Sequence, residues 1–211
     1  MSDPRRALVL VDIQQEYFSG PLEIQYPAPA DSLLKITAAI DAATAAGLPV
    51  VVVQHTSGED APVFDPTTPG FALHPEIEQR RTSDWKAVTK SVGSVYGGTG
   101  LAEWLHENEL DTVTLVGYMT NNCIIATAAQ SEVHGISAEV LSDATGAISI
   151  ANGAGSVDAE TVHTTLMALM NSNFAAVALT DTWISAVSDG RQLPKDDLVT
   201  SAVSGAEQFS S

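Results

Sequence analysis

ALVLVD, at residues 7–12, is the segment that most clearly indicates how this chain folds. Five consecutive apolar residues that end at a carboxylate are typical of a short strand buried on both faces of a parallel sheet. Comparable runs follow downstream, at residues 49–54, 112–116, 137–141 and 175–179. Helical patterns separate these runs, so strand and helix alternate along most of the chain. The alternation predicts an α/β fold, a three-layer α/β/α sandwich with an open, mostly parallel, Rossmann-like sheet.

Capping residues predict where several helices begin. Asp31, Thr99 and Ser156 each precede an apolar pattern of helical spacing and are expected to be N-caps. Residues 121–134 form another helical pattern directly after a strand. Residues 55–84 form a long, proline-rich connection, and connections of this kind often shape binding sites.

The composition narrows the class of protein and its partners. The chain carries 26 acidic and 9 basic side chains, for a net charge of −17, and a surface of this sign repels nucleic-acid phosphates and anionic lipid. No apolar run reaches the roughly 18 residues that cross a bilayer, and no signal-peptide pattern is recognised at the N-terminus. We therefore expect a cytoplasmic protein with a small-molecule substrate, no nucleic-acid partner and no membrane partner. Residues 1–187 form the predicted domain, and residues 188–211 an acidic tail or a contact between subunits.

Cys123 is the only cysteine of the chain, which excludes an intrachain disulfide and fits a reducing compartment. A lone cysteine is most often a small buried apolar residue. The histidines lack the spacing of a zinc-binding helix, and no second cysteine can join them as a ligand. The sequence therefore predicts no metal and no cofactor.

Polar side chains follow three of the predicted strands. Asp12 follows the first strand, Lys90 ends the segment WKAVTK, and Cys123 lies shortly after the strand at 112–116. Each residue also has a simpler interpretation when it is considered alone. Asp12 could be a turn residue, Lys90 could be a solvated surface residue, and Cys123 could be a packed core residue. Because ligands of open α/β sheets bind beyond the carboxyl ends of the strands, the three together predict a catalytic site.

The chemistry expected of this trio is that of an activated thiol. The thiolate is the attacking species, and the positive end of a helix beginning near Cys123 favours it. The Lys90 ammonium is expected to stabilise the same anion, and Asp12 to take the thiol proton as a general base. Backbone N–H groups of the turn YMTNNC are placed to bind an oxyanion that forms on the substrate.

Six motifs occur in order along the chain: LVLVDIQQEYF at 8–18, VVVQH at 51–55, PGFALHPEI at 69–77, KSVGSVYGGTGL at 90–101, VGYMTNNCIIATA at 116–128 and LSDATGA at 141–147. This set resembles the isochorismatase-like cysteine hydrolases, a superfamily that includes nicotinamidases and N-carbamoylsarcosine amidase. The resemblance covers residues 7–187 and implies the isochorismatase-like hydrolase fold.

The resemblance also implies a role for each member of the trio. Cys123 is the nucleophile, Asp12 the proton acceptor and Lys90 the group that supports both. A cis peptide bond is implied between Tyr118 and Met119, so that the N–H groups of Met119 and Cys123 form an oxyanion hole. Members of the superfamily commonly form dimers or tetramers, so a homo-oligomer is expected.

Departures from the family patterns narrow the expected chemistry. Metal-dependent nicotinamidases carry an Asp-x-His pair after the second strand, and Gln54 stands here where that aspartate is expected. The resemblance therefore points to the metal-independent subgroup. Isochorismatases proper lack the nucleophilic cysteine, so Cys123 favours cleavage of a C–N bond. Tyr96 stands where the family more often has phenylalanine, and it is expected to line the pocket.

Further residues near the trio are candidates for contact with the substrate, with packing in the core as the alternative for each. They are Gln14, Tyr17, His55, Tyr118 and Asn122. His163, within the last long helical pattern, is expected to pack or to contact another subunit.

The sequence thus predicts a cysteine hydrolase that cleaves a C–N bond of a small amide-like molecule through a thioester intermediate. Two alternatives remain open. One is an isochorismatase-type enzyme that cleaves the C–O bond of a vinyl ether through Asp12 without covalent attack. The other is a catalytically idle member of the fold that binds a ligand.

Overall fold

The computed structural model describes residues 3–210. Its strands are β1 (Arg6–Val11), β2 (Val50–His55), β3 (Lys86–Lys90), β4 (Thr112–Tyr118), β5 (Ser137–Gly146), β6 (Ile150–Asn152), β7 (Gly155–Val157) and β8 (Ala176–Ala178). Six of them form one parallel sheet in the order β3-β2-β1-β4-β5-β8. The short strands β6 and β7 pair as a separate antiparallel hairpin.

Helices cover both faces of this sheet. They are α1 (Pro29–Ala45), α2 (Pro75–Glu78), α3 (Leu101–Glu107), α4 (Ile125–Ser131), α5 (Ala159–Leu169), α6 (Thr180–Ser188) and α7 (Leu198–Gln208). Successive side chains of a strand point to opposite faces, so Leu8 and Leu10 pack in the core with α1 and α6. Val9 and Val11 pack in the other core, with α3, α4 and α5. The predicted three-layer α/β/α sandwich with a parallel sheet is confirmed.

The order of the strands reverses between β1 and β4. From β1 the chain builds outward through β2 and β3, and it then returns to place β4 on the other side of β1. Open α/β sheets bind ligands beyond the carboxyl ends of the strands at such a switch point. Asp12 and Cys123 follow the two strands that flank it.

Some predicted helix boundaries are wrong. Helix α1 begins at Pro29, so Asp31 lies in its first turn and does not cap it. Asp158 caps α5 through a hydrogen bond from the Thr161 N–H, because Ser156 lies in the β6–β7 hairpin. Strands of three residues are too short to show an alternating pattern, so this hairpin could not be predicted from hydrophobic periodicity.

The segment after residue 187, predicted as a tail or a contact between subunits, contains helix α7. The Asp197 carboxylate caps this helix by accepting hydrogen bonds from the N–H groups of Val199 and Thr200. Across residues 3–210, no helix has the length and apolar character that crossing a bilayer requires.

A buried ion pair lies near the amino-terminal end of the sheet. Arg6 Nη2 in β1 lies 2.8 Å from Glu139 Oε1 in β5, and the two side chains are 3% and 5% exposed. The Glu139 carboxylate also accepts hydrogen bonds from Thr114 of β4 and from the indole N–H of Trp183 in α6. Because every partner belongs to a different element, this one carboxylate connects three strands with a helix.

We expect Glu139→Ala to lower the free energy of unfolding by about 3–5 kcal/mol, because the Arg6 guanidinium then stays buried without its partner. Asp189→Ala is the matched control, since it removes the partner of Arg191 from a pair whose side chains are 59% and 57% exposed. Exposed pairs contribute little to stability. Urea unfolding of both variants tests this, and equal losses would contradict it.

Candidate active site

Asp12 is the first residue after β1, and the sheet holds its backbone in place. Its N–H donates to the Val53 carbonyl of β2 over 3.1 Å, and its carbonyl accepts from the Gln14 N–H over 2.8 Å. Its φ is +49°, in the left-handed region that few residues other than glycine adopt. This sharp turn leaves the Asp12 side chain fully buried at the carboxyl edge of the sheet.

Lys90 ends β3 and is as deeply buried as Asp12. Its Nζ lies 2.6 Å from Asp12 Oδ2, 3.2 Å from Cys123 Sγ and 3.1 Å from His55 Nδ1. The structure therefore brings together the three residues that the sequence singled out. Lys90 occupies the centre of the group and contacts both other members.

Cys123 lies in an irregular turn between β4 and α4. The turn, Thr120–Ile124, is π-helical, and the thiol is buried. The expected cis peptide bond is present between Tyr118 and Met119. Within residues 3–210, the Met119 N–H donates to no backbone acceptor. The N–H group implied in the oxyanion hole is therefore free for another acceptor.

Gly117 lets β4 approach β1 closely just before this turn. Its φ is +106°, and a Cβ built on it would lie 2.2 Å from the carbonyl oxygen of Val11. Any other residue would push the two strands apart. Because Val11 precedes Asp12 and Gly117 leads into the turn that carries Cys123, the glycine sets the separation of acid and thiol.

Burial dominates the electrostatics of the trio. It raises the pKa of Asp12 to about 6, although the nearby Lys90 ammonium favours the ionised form. Burial and the negative charge of Asp12 raise the pKa of the Cys123 thiol to about 12, against the opposing effect of Lys90. The expectation that this environment favours the thiolate is therefore corrected. The resting pair at neutral pH is a thiol beside a carboxylate, because the dry site disfavours a second anion.

His55 joins the group as a neutral side chain. Burial and the Lys90 charge lower its pKa to about 4. Its Nδ1 thus accepts a hydrogen bond from the Lys90 ammonium, and its ring packs edge-on against Phe64, with 5.0 Å between the ring centroids. The geometry therefore gives His55 a contact with Lys90, and its contact with substrate stays a prediction.

Asp12, His55 and Cys123 form the set of potential metal ligands, with their donor atoms within 4.8 Å of one another. A zinc ion would stand about 2.0–2.3 Å from each donor. However, Lys90 Nζ already contacts all three residues. A divalent cation would meet the ammonium at close range, so these residues do not fit a metal site.

The remaining pocket candidates fall into two groups. Gln14 is fully buried, and its amide bonds to backbone groups of His55 and Phe71, which leaves it no free group for a substrate. Tyr17 is also buried; burial raises the pKa of its hydroxyl, and the negative charge of the nearby Asp12 adds to this effect. The structure thus gives Gln14 a role in positioning loops, and contact of Gln14 and Tyr17 with substrate stays a prediction.

Two tyrosines direct their hydroxyls away from the trio. The Tyr96 hydroxyl lies 3.0 Å from Ser131 Oγ at the end of α4, and the Tyr118 hydroxyl lies 2.8 Å from Ser32 Oγ in α1. Both rings belong to the packed cores. The structure thus gives both side chains a role in packing, and their contact with substrate stays a prediction. Asn122, by contrast, is exposed beside Cys123.

Two further residues near the site were not among the predicted site residues. Phe64, from the long connection, is buried with a φ of +55° and packs on Tyr17 and His55. His163 of α5 is buried, and its Nδ1 lies 3.0 Å from Thr120 Oγ1, at the start of the turn that carries Cys123. No local pattern marks Phe64, whereas the helical spacing of His163 predicted packing without naming its partner.

Comparison with known proteins agrees with this architecture. The isochorismatase domain model matches residues 6–182. A crystal structure of an isochorismatase-type protein of Burkholderia xenovorans LB400 is 40% identical, with a TM-score of 0.95 and full coverage of both chains.

Two curated proteins are also similar. The isochorismatase family protein YrdC of Bacillus subtilis is 28% identical over 184 residues, which are 87% of this chain and 96% of that protein. The streptothricin hydrolase of Streptomyces noursei is 30% identical over 179 residues, which are 84% of this chain and 66% of that protein. With the family model, the fold and the motifs in agreement, the chain belongs to the isochorismatase-like hydrolase family.

Proposed function

We propose that this chain is a cysteine hydrolase that cleaves a C–N bond of a small amide-like molecule. The observation that carries the proposal is the position of Lys90 Nζ, 2.6 Å from the Asp12 carboxylate and 3.2 Å from the Cys123 thiol. Apolar side chains would fill this buried space at a lower cost in free energy, because charged groups must be removed from water to be buried. A purely structural role therefore does not explain why Asp12, Lys90 and Cys123 lie together. The grouping supports nucleophilic catalysis.

In the first half-reaction, Cys123 Sγ attacks the carbonyl carbon of the substrate while Asp12 takes the thiol proton. Asp12, with a pKa of about 6, is ionised at neutral pH and still basic enough to act. The new C–S bond produces an oxyanion, which the N–H groups of Met119 and Cys123 bind. The intermediate then collapses to a thioester, and Asp12 returns its proton to the nitrogen that leaves as ammonia or an amine.

In the second half-reaction, water attacks the thioester carbonyl and Asp12 takes the water proton. The C–S bond breaks, the carboxylic acid leaves, and the sulfur regains a proton to restore the thiol. Lys90 compensates the anion that moves between Asp12 and Cys123 in both steps. No step requires a metal or a cofactor.

The two alternatives differ from this proposal in what forms on Cys123. A C–O hydrolase that uses Asp12 alone forms no covalent adduct, and an idle binding protein has no turnover. A panel of small primary amides, lactams and carbamoyl compounds, assayed by ammonia release, finds the substrate. Acid quenching during turnover, followed by mass spectrometry, then detects an acyl adduct on Cys123 if the proposal is right.

We expect Cys123→Ala and Cys123→Ser to fold normally and to lose turnover by several orders of magnitude, because the nucleophile is gone. Thermal melting, measured alongside ammonia release, separates loss of catalysis from loss of fold. A Cys123→Ala protein that keeps more than about a tenth of the wild-type rate would exclude covalent catalysis.

We expect Lys90→Met to slow alkylation of Cys123 by iodoacetamide at least tenfold near pH 7. Removing an adjacent positive charge raises the pKa of the buried thiol further, commonly by about 1–3. Lys86→Met is the matched control, because Lys86 begins the same strand and lies over the Trp104 ring. If the pH–rate profiles of wild type and Lys90→Met coincide, Lys90 has no part in the mechanism.

We expect chelators to change neither turnover nor melting temperature. The reason is that the Lys90 ammonium already contacts the three potential metal ligands. Metal analysis of protein washed with EDTA provides the measurement. Stoichiometric zinc or iron in that protein would contradict the proposed mechanism.

A further inference from the structure

We infer that the substrate of this site carries no negative charge: it is an uncharged or cationic amide-like compound, and a compound with a carboxylate or phosphate near its scissile bond is rejected. This inference rests on the proposed function. It follows from where the chain places its few cations and from the charges that surround the trio.

The positively charged side chains are committed elsewhere in the molecule. All five arginines form ion pairs with acidic residues: Arg5 with Asp111, Arg6 with Glu139, Arg80 with Asp41, Arg81 with Glu78 and Arg191 with Asp189. None of these acids belongs to the trio. An anionic substrate therefore finds no free guanidinium, the group that best binds carboxylates and phosphates.

The lysines lead to the same conclusion. Lys35 pairs with Asp181, and Lys86 begins β3, whose other end carries Lys90. Lys195 lines a cavity at the opposite edge of the sheet, together with Thr112 and Ser137, which begin β4 and β5. Of the four lysines, Lys90 alone lies in the site.

The positive charge of Lys90 is already balanced within the trio and does not attract an anionic substrate. Its ammonium contacts the Asp12 carboxylate, so the two charges cancel within the trio. His55 adds no positive charge, because its pKa is lowered to about 4. The net charge of the trio and His55 at neutral pH is therefore zero.

The carboxylate of a neighbouring residue, Glu16, makes the net charge around the site negative. Glu16 precedes Tyr17, and its Oε1 accepts a hydrogen bond from the Phe64 N–H over 3.2 Å. Burial is the main cause that raises the pKa of Tyr17, and the negative charges of Asp12 and Glu16 add to it, so Glu16 lies within electrostatic range of the site. The protein as a whole has a net charge of −17, which adds to the repulsion of anions.

Burial makes the site selective for the charge of the substrate. Asp12, Lys90 and Cys123 are at most 2% exposed, so a substrate that reaches the sulfur leaves water. A carboxylate that moves there loses its hydration and gains no contact with a free cation. A neutral amide loses much less hydration free energy on the same transfer.

The test compares two alkylating reagents of nearly equal size, iodoacetamide and iodoacetate. Because Cys123 is the only cysteine, all thiol alkylation of this protein reports on the site. The ratio of the iodoacetamide rate to the iodoacetate rate is measured at fixed pH and ionic strength. Dividing it by the same ratio for 2-mercaptoethanol removes the intrinsic difference between the reagents. We expect the corrected ratio to be at least tenfold in favour of iodoacetamide.

Glu16→Gln tests the origin of the selectivity, since it removes the charge and keeps an oxygen that can accept from the Phe64 N–H. We expect it to lower the corrected ratio several-fold. Glu109→Gln is the matched control: it makes the same charge change beside Arg5, and Glu109 is 83% exposed. We expect it to leave the ratio unchanged.

A corrected ratio near one would overturn the inference, and a ratio below one would also show that the Lys90 charge attracts anions. Cysteine catalysis would stand in that case, because both reagents would still label Cys123. If neither reagent labels Cys123 in folded protein, the proposed nucleophile fails and the inference fails with it. The labelling experiment thus distinguishes an error in the charge of the substrate from an error in the function.

Discussion

The buried contact between Asp12 and Lys90 is the interaction on which the site depends. Neither charge could remain at this depth alone, since removing a charged group from water costs several kcal/mol even after relaxation. Together they offset that cost, and the pair stands in contact with the thiol of Cys123. The proton acceptor is therefore kept ionised in a dry site, where burial alone would raise its pKa much further.

The fold holds this pair through backbone geometry. The turn at Asp12 is fixed by hydrogen bonds to β2 and to Gln14, and Gly117 lets β4 pass close to the carbonyl of Val11. Gln14 uses its whole amide to join the end of β2 to the loop at Phe71. These contacts add no chemistry of their own, yet they set the distances within which Asp12 and Cys123 can exchange a proton.

The same burial explains two features of the proposed chemistry. It raises the pKa of the thiol to about 12, so the nucleophile forms only as its proton moves to Asp12. It also makes the charge of a substrate decisive, because a dry site without a free cation penalises an anion. His55, neutral and bonded to Lys90, supports the lysine without adding charge.

Hydrophobic patterns and motifs were enough to predict the sheet, the layers and the members of the trio. Buried strands are continuous apolar runs, and polar residues at their carboxyl ends mark the site, so both signals are local. The folded chain was needed to see the protonation state of Cys123, the contact of His55 with Lys90, and the hydrogen bonds of the Tyr96 and Tyr118 hydroxyls. These features depend on burial and on partners far apart along the chain, and hydrophobic periodicity carries no information about either.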